Sequence, residues 1–262
     1  MNEELIISDS CIGCGRCTQV CIRGHIQMGD DKRPHEIESR YSCFRCGHCM
    51  AICPKSAIRL REFPDFVPEE SVPSITADEL QTLFRHRRSC RWFDRKCTKD
   101  EIQSLVSSAM YAPTAENSQS VEFVVIDEEF DDFMRLCASI LKDHVDEHPR
   151  LKQFVEYVES GSEGKNNPFT WEGRQLIISF ARFPIDAVIS MEQIDLMSTT
   201  MGLGGFHSRW ILQASENDPE RFMSFFPEIS QGLQAFAVFI IGHPRLKYRR
   251  SVPRYQRRTI LR

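Results

Sequence analysis

Eight cysteines repeat one spacing: Cys11-x-x-Cys14-x-x-Cys17-x-x-x-Cys21, then Cys43-x-x-Cys46-x-x-Cys49-x-x-x-Cys53-Pro54. Three cysteines two residues apart wrap a tight turn, so their thiolates converge on one object. The fourth, after three residues, points away from it. Zinc also takes Cys-x-x-Cys pairs, but zinc sites use two separated pairs or add histidines and have no use for a third cysteine at the same short spacing. The pattern is that of iron–sulfur ligation, in which the fourth cysteine of each run serves the other cluster. It predicts one 4Fe-4S cluster on Cys11, Cys14, Cys17 and Cys53 and a second on Cys43, Cys46, Cys49 and Cys21.

This is the spacing of the bacterial two-cluster ferredoxins. Gly13, Gly15 and Gly47 suit it, because a backbone folded closely about a cluster needs residues without side chains. Cys21 is followed by Ile22 where proline is usual, while the second repeat keeps Pro54. Residues 1–61 are therefore expected to form a ferredoxin-like module of two pseudo-repeats. The apolar runs at 5–7 and 57–60 are its terminal strands, paired with each other.

The whole chain of 262 residues has room for that module and one larger domain. Its net charge of −4 is not that of a nucleic-acid binder, and the basic stretch 245–262 reads as a solvated face. Cys90, Cys97 and Cys137 remain outside the repeats and are expected to be ordinary packed or surface thiols. The acidic N-terminus lacks an apolar leader, and no window approaches the ~18 apolar residues of a spanning helix. The expectation is a cytoplasmic protein that does not bind membranes.

Between the domains, residues 62–77 carry Pro64, Pro68 and Pro73 among acidic residues, which is the composition of a stiff linker. The second domain, 78–262, opens on a helix N-terminal signal at Thr76 to Glu79. Helical faces follow at Ile102, Leu105, Val106, Ala109 and Met110, stopped by Pro113, and at Phe130, Phe133, Met134, Cys137 and Leu141. A more polar helix is expected about Leu151, Phe154, Val155 and Val158, then a loop over 161–168. A long apolar helix runs from Ile185 to Met201 and ends at Gly202. Strands are expected at 122–126, 176–180 and 235–242. Helices and strands mix without regular βαβ alternation, so the fold class is α+β. No Gly-x-Gly-x-x-Gly follows a strand, so no Rossmann unit is expected.

A domain fused to a cluster module has to accept single electrons, and a flavin exchanges them singly with clusters and in pairs with organic substrates. Arg87, Arg88, Ser89 and Arg91 place three guanidinium groups and a hydroxyl within one short segment, suited to a phosphate or to the polar edge of a flavin ring. A solvated basic turn would have the same composition. Followed by Ala112-Pro113-Thr114-Ala115-Glu116-Asn117-Ser118-Gln119, however, the segment resembles the two hallmark stretches of the FMN-dependent nitroreductase family, and the ferredoxin-fused members of that family resemble the whole chain.

The resemblance implies a homodimer with FMN at the subunit interface. Arg87, Arg88, Ser89 and Arg91 would hold phosphate, ribityl and pyrimidine groups, while Pro113, Thr114, Ala115, Asn117 and Gln119 approach the same flavin from the other chain. Gly204 and Gly205 resemble the family's glycine run, which turns a backbone N–H toward the flavin, and Arg250 and Arg254 resemble its late basic segment at the phosphate. The chain departs from the family at Ser120 and Val121, where proline and often an aromatic stand, and in lacking a glycine near 208–210. The substrate side of the pocket is thus atypical. No side chain stands out as a general acid; His207 is a candidate proton donor, although a lone histidine is more often packed or solvated.

These readings converge on an oxidoreductase that takes electrons from a donor such as a ferredoxin or a reductase. Two clusters and FMN would pass them to a small electron-poor acceptor of nitroaromatic, quinone or enone type. The rival reading is a redox sensor or electron relay without turnover, and a third is a dehalogenase-like or flavin-fragmenting relative on the same fold.

Overall fold

A computed structural model describes residues 4–37, 42–63, 73–161 and 166–262. Pro64 and Pro68 of the expected linker, and part of the expected 161–168 loop, lie outside the described residues. The chain divides into two units: residues 1–74 together with Ala115–Ser118, and residues 75–114 together with 119–262.

The N-terminal unit is built from very short elements. β1 (Leu5–Ile7) pairs antiparallel with β4 (Ile58–Leu60), as the apolar runs predict. Between them lie α1 (Arg16–Val20), a second antiparallel pair formed by β2 (Ile26–Met28) and β3 (Pro34–Glu36), and α2 (His48–Ala51). The two helices begin alike. Gly15 and Gly47 sit at their N-termini with φ of 70°, a left-handed conformation that costs glycine little. The third cysteine of each repeat, Cys17 or Cys49, is thereby carried inward on the helix and is buried. Glu36 ties β3 to the start of β1, accepting the backbone N–H groups of Glu4 and Leu5, and meets His25 Nε2 at 2.8 Å.

The C-terminal unit opens with α3 (Ala77–His86). Thr76 and Glu79 form a capping box there, as the N-terminal signal indicates. β5 (Phe93–Arg95) and α4 (Lys99–Ser108) follow, the latter with a second capping box at Thr98 and Glu101. One 3-10 turn at Ala109–Tyr111 extends the apolar face toward Pro113. Next come β6 (Glu122–Ile126), α5 (Phe130–Leu141), α6 (Pro149–Glu159), β7 (Leu176–Ala181), α7 (Pro184–Thr200), β8 (Gly204–His207), α8 (Arg209–Asn217), α9 (Pro219–Met223) and β9 (Gln234–Pro244). The fold class is α+β, as expected.

β9 organises the sheet. It pairs antiparallel with β7, and β7 with β6, while β8 and β5 also pair with β9. β7 is buried along its whole length, which is why it reads as a continuous apolar run without alternation. Two apolar clusters flank the sheet. One gathers Phe133, Phe154, Phe169, Phe180 and Phe222 under α5, α6, α8 and α9, and Phe133 lies 5.3–5.6 Å from the rings of Phe222, Phe225 and Phe226. The other joins Leu105, Ile177, Met191, Ile194 and Phe239 between α4, α7 and the sheet.

α7 ends in a Schellman motif: Leu203 N–H donates to Ser198 O and Gly202 N–H to Thr199 O, with Gly202 at φ 72°. That stop turns the chain into β8, a strand absent from the pattern-based expectation. No described helix is long and apolar enough to cross a membrane.

Candidate active site

In the N-terminal unit the eight repeated cysteines gather around two cavities. One is lined by Cys11, Cys14, Cys17 and Cys53 with Ile7, Ile12, Pro54 and Ile58; the other by Cys21, Cys43, Cys46 and Cys49 with Val20, Ile26, Phe44 and Leu60. Each therefore holds three closely spaced cysteines and the fourth cysteine of the opposite repeat.

Backbone donors face the sulfurs. His25 N–H lies 3.3 Å from Cys21 Sγ, Ala57 N–H 3.2 Å from Cys53 Sγ and Arg45 N–H 3.3 Å from Cys43 Sγ. The first two stand at the same offset from their cysteines, so the pseudo-repeat extends to the donors. Burial pushes the Cys49 thiol up to about 11, against the Met50 N–H that lowers it; neighbouring Cys43, Cys46 and Cys21 add to the rise. Cys17 and Cys43 are raised for the same leading reason. Sulfurs packed this closely repel one another as thiolates, so the cavities suit a positively charged metal centre that accepts all four.

The three remaining cysteines are free and buried in the C-terminal unit. Burial pushes Cys97 up to about 12 and raises Cys90 and Cys137 also. They are packing groups, in keeping with expectation.

The basic segment leaves α3 at Arg87 and is fastened to β8. Ser89 bridges Gly205 in parallel fashion, and Cys90 N–H donates to Gly205 O at 2.9 Å. β8 must approach closely for this. A Cβ on Gly205 would meet Ile240 O at 2.0 Å and the Phe239 ring at 2.6 Å. Gly204 and Gly205 are thus required by strand packing, and they bring the basic segment to β8. Arg87 Nη1 donates to Asp195 Oδ2 at 3.1 Å. Arg88 Nη1 donates to Arg87 O, and its buried Nε has no hydrogen-bond partner among the described residues. Arg91 lies 5.1 Å from the Phe206 ring centroid and 5.7 Å from that of Trp171, a cation held over aromatic faces.

Thr114 and Gln119 line a cleft of about 330 Å³ with Gln103, Val106, Ser107, Met110, Phe123 and Ser190. Gln119 N–H donates to Thr114 Oγ1 at 2.9 Å, and Gln119 has a positive φ of 49°. Pro113 is exposed nearby in the chain. Ala115 and Asn117 fall in the N-terminal unit, where Asn117 Nδ2 donates to Phe44 O and Arg45 O at 3.4 and 3.2 Å. Glu116 and Asn117 both have positive φ, of 55° and 53°, so this short stretch stores backbone strain. Arg250 and Arg254 are exposed on an irregular C-terminal stretch.

Residues 84–243 match the model of the nitroreductase family. The chain belongs to that family. Residues 10–58 of this nitroreductase-family protein match a 4Fe-4S dicluster domain, and the chain is an oxidoreductase with a ferredoxin-like N-terminal domain. Its fold is similar to that of a nitroreductase with bound FMN from Desulfitobacterium hafniense, at 17% identity and a TM-score of 0.54, covering 70% of this chain and 97% of that one. A nitroreductase with bound FMN from Bacteroides fragilis aligns at 14% identity and 0.53, over 70% and 99% of the two chains. A nitroreductase-like family protein from Bacillus cereus aligns at 16% and 0.50, over 72% and 95%. No protein of curated function matches the chain.

No local sequence signal marks Asp195 or ties it to His207. His207 has no motif, and Asp195 looks like one polar residue on an apolar helix. The structure brings Arg87 and His207 to the same oxygen of Asp195.

Proposed function

We propose that this nitroreductase-family protein is an iron–sulfur flavoprotein carrying two 4Fe-4S clusters and FMN, which delivers electrons from a one-electron donor to a small electron-poor acceptor. The observation that carries this reading is the exchange of the fourth cysteine between the two cavities, in one chain with a nitroreductase-family domain. Four sulfurs per cavity would also suit zinc, and what favours clusters is the run of three closely spaced cysteines completed by the fourth of the other repeat. When bound, the clusters and the flavin supply one-electron and two-electron exchange respectively.

The chain's own residues prepare that chemistry. Cys11, Cys14, Cys17 and Cys53 hold one cluster, Cys21, Cys43, Cys46 and Cys49 the other, and the N–H groups of His25, Ala57 and Arg45 stabilise charge on sulfur. Arg87, Arg88, Ser89 and Arg91 form the anionic and polar-edge seat for FMN. The unpaired Arg88 Nε is a donor that a ligand oxygen would satisfy. Pro113, Thr114, Ala115, Asn117 and Gln119, with Arg250 and Arg254, complete that seat across a homodimer. Gly204 and Gly205 place the basic segment on β8. A dimer is also supported by apolar residues left exposed on α7, namely Ile185, Val188 and Met197, and by Tyr255 and Leu261 near the C-terminus.

Anaerobically purified full-length protein should contain about eight irons per chain, release FMN on denaturation and sediment as a dimer. Reduced with a small ferredoxin and mixed with nitroaromatic, quinone and enone acceptors, it should reoxidise over many turnovers. A single stoichiometric reoxidation would replace the enzyme reading with that of a sensor or relay, and two zincs per chain without colour would remove the cluster assignment.

A further inference from the structure

One buried carboxylate in the C-terminal unit has an arrangement that the family motifs do not mark. Asp195, on α7, has a side chain 2% exposed. Its Oδ2 receives Arg87 Nη1 at 3.1 Å and lies 3.3 Å from His207 Nε2, at the end of β8. The two partners are far more open, at 25% and 45%. The carboxylate therefore forms a floor, with two nitrogen donors between it and the outside.

A buried carboxylate must be paired and hydrogen-bonded to persist, and the hydrogen bond to Oδ2 fixes the direction of the Arg87 guanidinium. With Nη1 committed to Asp195, Arg87 keeps Nε and Nη2 for an outer ligand, and His207, whose Nε2 lies within ion-pair range of the same oxygen, keeps Nδ1. The other charged group close to His207 is Glu192, also on α7, and the imidazole packs against Phe239 of β9 at 5.1 Å. Glu192, Asp195 and His207 could in principle converge on a cation, but the guanidinium already on Asp195 Oδ2 would repel one. The outward donors favour an anion.

We propose that Asp195 is a positioning residue for the nucleotide phosphate. It orients Arg87 and His207 so that their remaining N–H groups meet the terminal phosphate of FMN, which makes His207 a phosphate contact. This rests on the FMN reading above and adds two residues to it.

The test is binding of FMN and of riboflavin, which lacks the phosphate, to flavin-stripped full-length protein with its clusters intact. Asp195→Asn should weaken FMN about tenfold or more while changing riboflavin by less than about twofold, because Arg87 loses the buried charge partner that orients it toward the phosphate and the ring contacts are not touched. Asp195→Glu should recover part of the loss. His207→Gln, at a half-open position, should weaken FMN by about threefold to tenfold without affecting riboflavin, and it carries the test if Asp195→Asn fails to fold. Equal weakening of both ligands would reduce Asp195 to a structural role and overturn the inference, as would unchanged FMN affinity in both Asp195→Asn and His207→Gln. A wild-type protein that binds neither flavin would instead overturn the FMN reading itself, and this inference with it.

Discussion

The two units of this chain are stabilised by opposite means. In the N-terminal unit the buried cluster is Leu5, Cys17, Ile26, Cys49, Ile58 and Leu60, so cysteines stand where a larger domain would place aliphatic side chains. Its strands span three residues each, too short to hold a sheet by ladder hydrogen bonds alone. The C-terminal unit closes its core with phenylalanines against a sheet whose central strand runs eleven residues. A small module that cannot bury enough apolar surface needs a covalent or metal staple, and a larger one does not. On the proposed function, the cysteines would then be both the ligand set and the principal source of fold stability in the first unit. In the second unit the proposed FMN seat would rest on a core that stands without it.

The sharpest way to break this contrast is to remove the metal. Anaerobic chelation of iron should abolish amide protection over residues 5–60 while β7 and β9 keep theirs, as read by hydrogen exchange with mass spectrometry. Persisting protection in the N-terminal residues would show that the unit folds on its apolar contacts, and the contrast would fail.

The second perturbation is its mirror image. Phe133→Ala removes a fully buried ring that meets three other phenylalanines, and should cost the C-terminal unit about 3–5 kcal/mol. Denaturant unfolding should show the loss in that unit's transition, and the visible sulfur-to-iron absorption of the native protein should be unchanged. A parallel loss of cluster absorption in native buffer would mean that the two units do not hold their stability separately.

The smallest effect sharpens the same point at one helix end. Thr98→Ala removes the side-chain acceptor for Glu101 N–H at the start of α4 and should cost about 1 kcal/mol. The reciprocal half of the cap is pH-dependent. The Thr98 N–H, against the opposing effect of burial and with help from His243, holds the Glu101 carboxyl below its ordinary range. Its contribution is complete above the ordinary carboxylate pKa and fades as pH falls through the lowered one. Thr98→Ala keeps that backbone donor, so the thermal unfolding temperatures of wild type and variant should fall in parallel as the pH is lowered, with the gap between them nearly constant.

Local signals carried much of this molecule into the sequence. The cysteine spacing assigns four sulfurs to each cavity because ligand geometry is set within a dozen residues and the exchange of the fourth follows from the second copy. The runs at 176–180 and 235–242 announce β7 and β9 because strands buried on both faces are apolar throughout, the run at 122–126 announces the half-buried β6, and Thr76 with Glu79 announces α3 because a helix end needs its N–H groups satisfied. Tertiary structure alone decided the rest. β8 carries two glycines in four residues and has no periodicity to read; it is a strand because β9 offers it a partner and Gly205 lets the backbones close. Asn117, whose family motif points to a flavin, also has donors satisfied by Phe44 O and Arg45 O, seventy-odd positions earlier. Arg87, Asp195 and His207 lie on three separate elements, and no spacing rule joins them. What joins them is the cost of burying one carboxylate, which is incurred only once α7 has packed against the sheet.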